Sequence, residues 1–291
     1  MSDHLIHIGY PKAGSTFLQR WFEVHPQIAY AEGGIAGYDN VYDMVRQAAA
    51  PASGMRCRVT SSESLSIPRA HFGQTYFDSW KSDAERVADA EAEACDALAA
   101  LFPHGRVLVV TRGFRSMILS SFSQYVRTGG ALGLEELTAL ARNAGPWDYD
   151  RLIGRYRGAF GADRVLALPY ELLRADSEAF LAKIETWLGL DHFPGPKEAV
   201  NAALTPAELA WYPRFARVAA RIRPRRLGRL YGRLAFEGRL RPAANLLQRL
   251  RPLAAPAPQR LPDEVVDAFR GKAECLRDDP LYAPYADDYL F

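Results

Sequence analysis

Cysteine is scarce: Cys57, Cys95 and Cys275 are odd in number and far apart. That excludes a disulfide framework and a clustered thiolate site, and predicts a reducing, cytoplasmic setting. Long apolar runs are lacking too, since none reaches the ~18–20 residues that crossing a bilayer requires. The opening Met1-Ser2-Asp3-His4 leads into a strand-like segment without the basic start and apolar stretch of a secretory leader. No spacing among the six histidines and three cysteines suits zinc, so no metal is expected. Acid is nearly absent from one region: between Tyr212 and Leu253 twelve arginines face a single acid, Glu237, although the net charge of the chain is only +2. Such a stretch predicts an anionic partner, with an anionic membrane surface, and so a peripheral location, among the candidates. It lacks interleaved aromatic platforms, so no nucleic acid is expected.

What is present is an ordinary globular composition, 48% hydrophobic and 24% charged over 291 residues, enough to bury a sizeable core. Leu5–Gly9 reads as a buried strand, Tyr10–Gly14 as a loop, and Ser15 or Thr16 begins a helix through about Val24. Arg58–Ser62 reads as a second strand ending at Glu63. Further segments read as a helix over Asp83–Leu101, a buried strand over Arg106–Thr111 and a helix over Ser116–Tyr125. A helix over Asp150–Phe160, a strand over Arg164–Leu168 and a helix over Ser177–Leu188 follow. Alternation of this kind predicts an α/β fold with a doubly wound, mainly parallel sheet. After Gly195 the chain reads as helical and rich in Arg and Pro, with a connection over Pro252–Pro262 and a short helix near Asp263–Leu276. The expected organisation is an α/β core over residues 1–195 and a helical C-terminal part over 196–291 packed on it.

A phosphate-binding loop needs converging backbone N–H groups, a small residue for close approach and a helix N-terminus behind it. Gly9–Thr16 offers all three, with Lys12 as a mobile cation and hydroxyls at Ser15 and Thr16. In the usual nucleotide loop the lysine follows the second glycine; here it precedes Gly14 by two residues. A lysine on that side of the loop can reach an oxygen bridging phosphate and sulfate, where charge develops as the S–O bond breaks. The segment Tyr10-Pro11-Lys12-Ala13-Gly14-Ser15-Thr16-Phe17 resembles the 5′-phosphosulfate loop of sulfotransferases that use 3′-phosphoadenosine-5′-phosphosulfate (PAPS). The family pattern is Pro-Lys-Ser/Ala-Gly-Thr/Ser-Thr followed by an aromatic.

A second, independent segment agrees. Val109–Ser120 resembles the family's 3′-phosphate site, a buried strand ending in Arg with Ser eight positions later. Arg112 can grip a phosphate with two parallel hydrogen bonds and Ser120 can donate a third. Leu168–Leu172 resembles the family segment that supports the adenosine end. The resemblance therefore implies donor contacts from Lys12, Ala13, Gly14, Ser15 and Thr16, adenine stacking by Phe17, a 3′-phosphate grip by Arg112 and Ser120, and support from Tyr170. It spans roughly residues 5–190 and is nearer the carbohydrate-directed and bacterial branch than the cytosolic phenol branch, whose Gly-rich closing segment has no counterpart here. Lys197 and Asn201 sit where another closing loop would fall.

Sulfuryl transfer is an in-line displacement that needs a base for the acceptor proton and positive charge at the leaving oxygen. Lys12 suits the second task. Glu63, at a strand end as in the carbohydrate-directed branch, suits the first, although Ser64-Leu65 replaces the usual Lys-Ser; His71 is the alternative base. The expected acceptor is a hydroxyl or amine, on a glycan or glycolipid in preference to a small phenol. Two other classes stay open: a P-loop kinase using ATP, which would need a lysine after the second glycine and a Mg²⁺-binding acid, and a non-enzymatic binder of anionic surfaces through the arginines.

Overall fold

The computed structural model describes residues 3–30, 55–67, 72, 76–196, 204–221, 226–254, 261 and 263–291. Five strands form one sheet: β1 (Asp3–Gly9), β2 (Ile28–Ala29), β3 (Cys57–Ser62), β4 (Arg106–Thr111) and β5 (Val165–Pro169). Their order is β2-β3-β1-β4-β5, and every neighbouring pair is parallel. The order branches on both sides of β1, so the carboxyl ends of β1 and β4 flank a switch point, where open α/β sheets bind ligands. Register fixes what meets there. Ile8 is level with Ser62 and Val109, and Gly9 with Val110, so Tyr10, Glu63 and Arg112 all leave the sheet along one edge.

These segments become central strands because they are apolar on both faces. Leu5, Ile6 and Ile8 of β1 and Val107 through Val110 of β4 are fully buried. Helix α1 (Ser15–Val24) buries Leu18, Trp21 and Phe22, and α2 (Ala84–Leu101) buries Val87, Ala94, Cys95 and Leu98. Asp83 caps α2 by accepting a hydrogen bond from Arg86 N at 2.9 Å. Helix α3 (Phe114–Arg127) follows β4, then α4 (Leu134–Ala144), α5 (Tyr149–Phe160), the short α6 (Tyr170–Ala175) directly after β5, and α7 (Ser177–Leu188). Left-handed Gly189, φ 68°, ends α7, and Leu190 N bonds back to Glu185 O at 2.9 Å. The α/β expectation and its parallel sheet hold, as does the helical character of the later chain: α8 (Pro206–Arg221), α9 (Arg226–Phe236), α10 (Arg241–Leu250), α11 (Asp263–Asp267) and α12 (Ala286–Tyr289).

Two differences from the sequence reading stand out. Strand β2 and helices α4 and α6 were not expected. The helix anticipated over Asp263–Leu276 stops at Asp267; a turn with Gly271 at φ 74° and a single 3₁₀ turn at Glu274–Leu276 follow. By packing, the chain forms two compact units. One compact unit comprises Met1–Phe114, Arg142–Val200 and Phe269–Phe291, and the other Arg115–Ala141 and Asn201–Ala268. The final segment joins the sheet-bearing unit because its aromatics are core: Phe269 stacks on Phe114 with centroids 5.6 Å apart, and Tyr282 and Tyr289 are buried. Among the described residues, no helix is long and apolar enough to cross a membrane.

Two histidines of β1, the half-buried His4 and the buried His7, are neutral. Burial, with the nearby Arg58 charge, pushes His4 down to about 4, where it stacks on Phe102 and bonds Thr60 Oγ1 at 2.9 Å. Burial pushes His7 down to about 3. His7 Nδ1 lies 2.7 Å from Ser61 Oγ, which also accepts from Gln19 Nε2 at 3.3 Å. Above pH 6.5 both rings are neutral folded or unfolded and have no effect on stability. Below it the unfolded chain binds protons that the folded chain refuses until about pH 4 and 3. Stability should therefore fall as pH drops from about 6.5 to 4, each ring adding up to about 1.4 kcal/mol per pH unit. Denaturant unfolding of the protein and of His4→Gln at several pH values checks this. A slope that His4→Gln leaves unchanged would refute the assignment for His4.

Candidate active site

The turn between β1 and α1 is built from local chemistry. Ala13 N bonds to Tyr10 O at 3.1 Å, closing a four-residue turn with Pro11 second and Lys12 third. Proline presets the second position of such a turn, and the third requires positive φ, usually supplied by glycine. Here Lys12 takes it, with φ 73°. A non-glycine residue in the left-handed region is held against a cost of ~1–2 kcal/mol. Only one other non-glycine residue described, Leu290, has positive φ. Strain of this kind concentrates at functional sites.

Gly14 follows with φ 88°, and a Cβ there would lie 2.6 Å from Leu173 Cδ2, so only glycine lets the loop rest on α6. Gly9 is as constrained: its Cβ would lie 2.4 Å from Ser15 Oγ. Ser15 is buried, and Ala13 is fully so. The first backbone bonds of α1 return to Gly14 O, from Phe17 N at 3.0 Å and Leu18 N at 3.2 Å. Among the described residues, the N–H groups of Gly14, Ser15 and Thr16 therefore have no protein acceptor. They are the open donors of a helix N-terminus, suited to an anion.

Arg112 meets this loop directly. Its Nη1 donates to Lys12 O at 2.5 Å, and its guanidinium lies over the Tyr170 ring with the centroid 4.5 Å away. Two strand ends, β1 and β4, are thereby joined by one cation, with a third, β5, supplying the ring beneath it. Burial lowers the Arg112 pKa, with Tyr170 and Glu171 acting in the opposite sense; a guanidinium stays charged through such shifts.

The backbone around Arg112 is fixed by buried tyrosines and one carboxylate. Tyr149, the first residue of α5, donates to Arg112 O at 2.7 Å. Glu171 accepts from Gly113 N and from Tyr289 Oη, each at 3.0 Å. Thr111 Oγ1 is 2.9 Å from both Tyr282 Oη and Tyr289 Oη. With Glu171 as final acceptor, the hydroxyls align in one direction, Tyr282 to Thr111 to Tyr289 to Glu171. Burial raises the Glu171 pKa and these donors act against the rise. Gly113 has no room for a side chain, since a Cβ would lie 2.4 Å from Asp288 Cβ.

Glu63 opens a 3₁₀ turn at Glu63–Leu65 and is half-buried. Ser66 Oγ donates to Glu63 O at 2.9 Å and approaches Gly9 O at 3.4 Å, tying this turn to the end of β1. The Glu63 charge reaches the buried Tyr76, whose phenol is raised first by burial and then also by Glu63 and Glu91.

The structure thus brings Lys12, Ala13, Gly14, Ser15, Thr16, Arg112, Tyr170 and the Glu63 backbone to one sheet edge. Phe17 is half-buried, with its Cζ 3.0 Å from where a Cβ on Gly195 would lie. Ser120 is half-buried on α3, in the second compact unit. His71, Lys197 and Asn201 lie outside the described residues. Sequence reasoning missed Tyr149, Glu171 and Tyr289 as supports, since their roles arise only where distant segments meet. It also missed the left-handed Lys12, for which Pro11 was an available signal.

Comparison with solved structures finds a sulfotransferase from Alicyclobacillus acidocaldarius at 14% identity and a TM-score of 0.48, covering 84% of this chain and 99% of that one. It also finds mouse sulfotransferase SULT7A1 complexed with PAP at 15% identity and a TM-score of 0.41, covering 66% of this chain and 61% of that one. No curated protein matches the sequence. The profile of the sulfotransferase family matches residues 5–194, a span holding β2 to β5, all of β1 but its first two residues, the Lys12 loop and Arg112. With more than half of its length in that match, the chain belongs to the sulfotransferase family.

Proposed function

We propose that the chain transfers the sulfuryl group of PAPS to a hydroxyl or amine of a glycan or glycolipid acceptor. The observation that carries the reading is the junction of Arg112 with the Lys12 carbonyl, which sets two cations at adjacent strand ends beside three open N–H donors. These residues fit the donor. The acceptor-less N–H groups of Gly14, Ser15 and Thr16 suit the 5′-phosphosulfate, and Arg112 suits the 3′-phosphate. Ser120 joins this set through the sequence resemblance, as do Phe17 and Tyr170 as neighbours of the adenosine.

When bound, the donor supplies an electrophilic sulfur and a bisphosphate leaving group. Lys12 holds its ammonium for the oxygen that gains charge, and the strained backbone at φ 73° aims its side chain differently from a residue in an ordinary turn. Glu63 takes the acceptor proton, with His71 the alternative base. The Glu63 segment and the excess of arginine over residues 212–253 favour a polar, anionic glycan or glycolipid.

Lys12→Ala should lower kcat by about 10²–10³ while weakening adenosine 3′,5′-bisphosphate much less, because its main interaction strengthens in the transition state. Glu63→Gln should lower kcat by about 10²–10⁴ and spare donor binding. Transfer assays with radiolabelled donor check both; normal turnover in Glu63→Gln together with its loss in His71→Ala would reassign the base. Arg112→Ala should weaken adenosine 3′,5′-bisphosphate by about 1.5–3 kcal/mol and AMP far less. Calorimetric titration of the two nucleotides measures the difference, and equal losses would remove Arg112 from the 3′-phosphate.

A further inference from the structure

Helices α8, α9 and α10 pack together through their inward faces. Glu208, fully buried, accepts from Thr205 N at 2.8 Å, Tyr212 Oη at 2.9 Å and Arg241 Nε at 3.0 Å. Tyr231 Oη donates to Tyr212 O at 2.8 Å, and Trp211 Nε1 to Gln248 Oε1 at 2.9 Å. These contacts define which faces point inward. On α10 they are Ala244, Leu247 and Gln248, at helical spacing.

The opposite face of α10 is apolar yet exposed. Leu246 and Leu250 stand one turn apart at 58% and 72% exposure, continuing a row from exposed Pro242 and beside exposed Arg249. On α9, Leu230 at 51% and Phe236 at 59% lie three residues either side of Arg233, away from buried Ala235. On α8, Val218 at 57% sits among exposed Arg214, Arg217 and Arg221. Five of the seven large hydrophobics exposed among the described residues fall on these three helices. Single exposed leucines are ordinary, whereas aliphatic side chains recurring along one row of a helix make a patch that calls for a partner.

The charge around these residues selects what covers them. Glu237, the only acid of the region, is already shared by Arg233 and Arg239, each at 2.8 Å, and Glu208 is held by Arg241. Among the described residues, Arg217, Arg221, Arg249 and Arg251 form no ion pair. A second copy would bring the same arginines against them, so self-association through this face is opposed by like charge. A nucleic-acid groove has no use for exposed leucines. Anionic lipid satisfies both features, with aliphatic side chains entering the acyl boundary and guanidinium groups meeting phosphates.

We propose that α8, α9 and α10 form a docking surface for an anionic lipid membrane, with Leu246 and Leu250 of α10 inserted and the surrounding arginines bound to lipid phosphate. The proposal stands apart from the reading of the reaction and is measured without donor or acceptor.

The test is co-sedimentation of the full chain with vesicles of phosphatidylcholine alone or of phosphatidylcholine mixed with phosphatidylglycerol. Binding to the anionic vesicles should exceed binding to the neutral ones by about tenfold or more at low salt and weaken as salt is raised. The pair Leu246→Gln and Leu250→Gln should lower binding to anionic vesicles by about tenfold and leave the melting temperature unchanged, because both side chains are exposed. Arg249→Gln with Arg251→Gln should lower it as well. Absence of binding to anionic vesicles would overturn the proposal, as would equal binding to both compositions. Insensitivity to the paired leucine substitutions would overturn it too, and so would duplex DNA binding in place of lipid binding.

Discussion

One cation holds the edge of the sheet together. Arg112 leaves β4, lies over the Tyr170 ring at the end of β5 and donates to the Lys12 carbonyl after β1. Parallel strands deliver all three segments to one side, and the resulting gap between helix N-terminus and strand ends collects donors without matching acceptors. An arginine is suited to the position because its planar fork can serve backbone and ring at once while remaining charged in a partly buried setting. A lysine could supply the charge but not the stacking.

Around that cation the protein spends polar groups that a purely apolar core would not need. Glu171 is buried and accepts from Gly113 N and Tyr289 Oη, and the Tyr282–Thr111–Tyr289 chain orders the hydroxyls behind it. Buried polar networks of this kind are costly when incomplete and stiffening when satisfied. Here the stiffening falls on Thr111, Arg112 and Gly113, the residues whose geometry the site relies on. The loop itself is held differently, by steric exclusion at Gly9 and Gly14 and by backbone strain at Lys12.

Much of this was legible in the sequence because it is written in short segments. The Val-Leu-Val-Val centre of β4 marks a strand buried on both faces, and its observed bounds, Arg106–Thr111, are those read from the sequence. The Gly14-Ser15-Thr16 start of α1 was equally plain. Strand β2 escaped because two residues carry no period. Helix α4 escaped although Glu136 accepts from Gly133 N at 2.7 Å, a capping signal present in the sequence itself. The supports of Arg112 were beyond reach for a different reason: Tyr149 and Tyr289 are ordinary residues in ordinary segments, Glu171 belongs to a segment read only as support for the adenosine, and tertiary packing converts all three into partners. The final segment, read as part of the helical region packed on the core, adds its buried tyrosines to the same set.

That long-range packing bears on how the protein acquires its site in time. Thr111 bonds Tyr282 and Tyr289 across sequence separations of 171 and 178 residues. On a ribosome the Lys12 loop and Arg112 emerge well before those tyrosines. Glu171 meanwhile lacks one of its donors. Contacts of such separation close late, after their loop entropy has been met by other packing. The backbone at Arg112 is therefore locked only when the final segment of the chain has docked, so the rigidity of the anion site depends on residues distant from it in sequence.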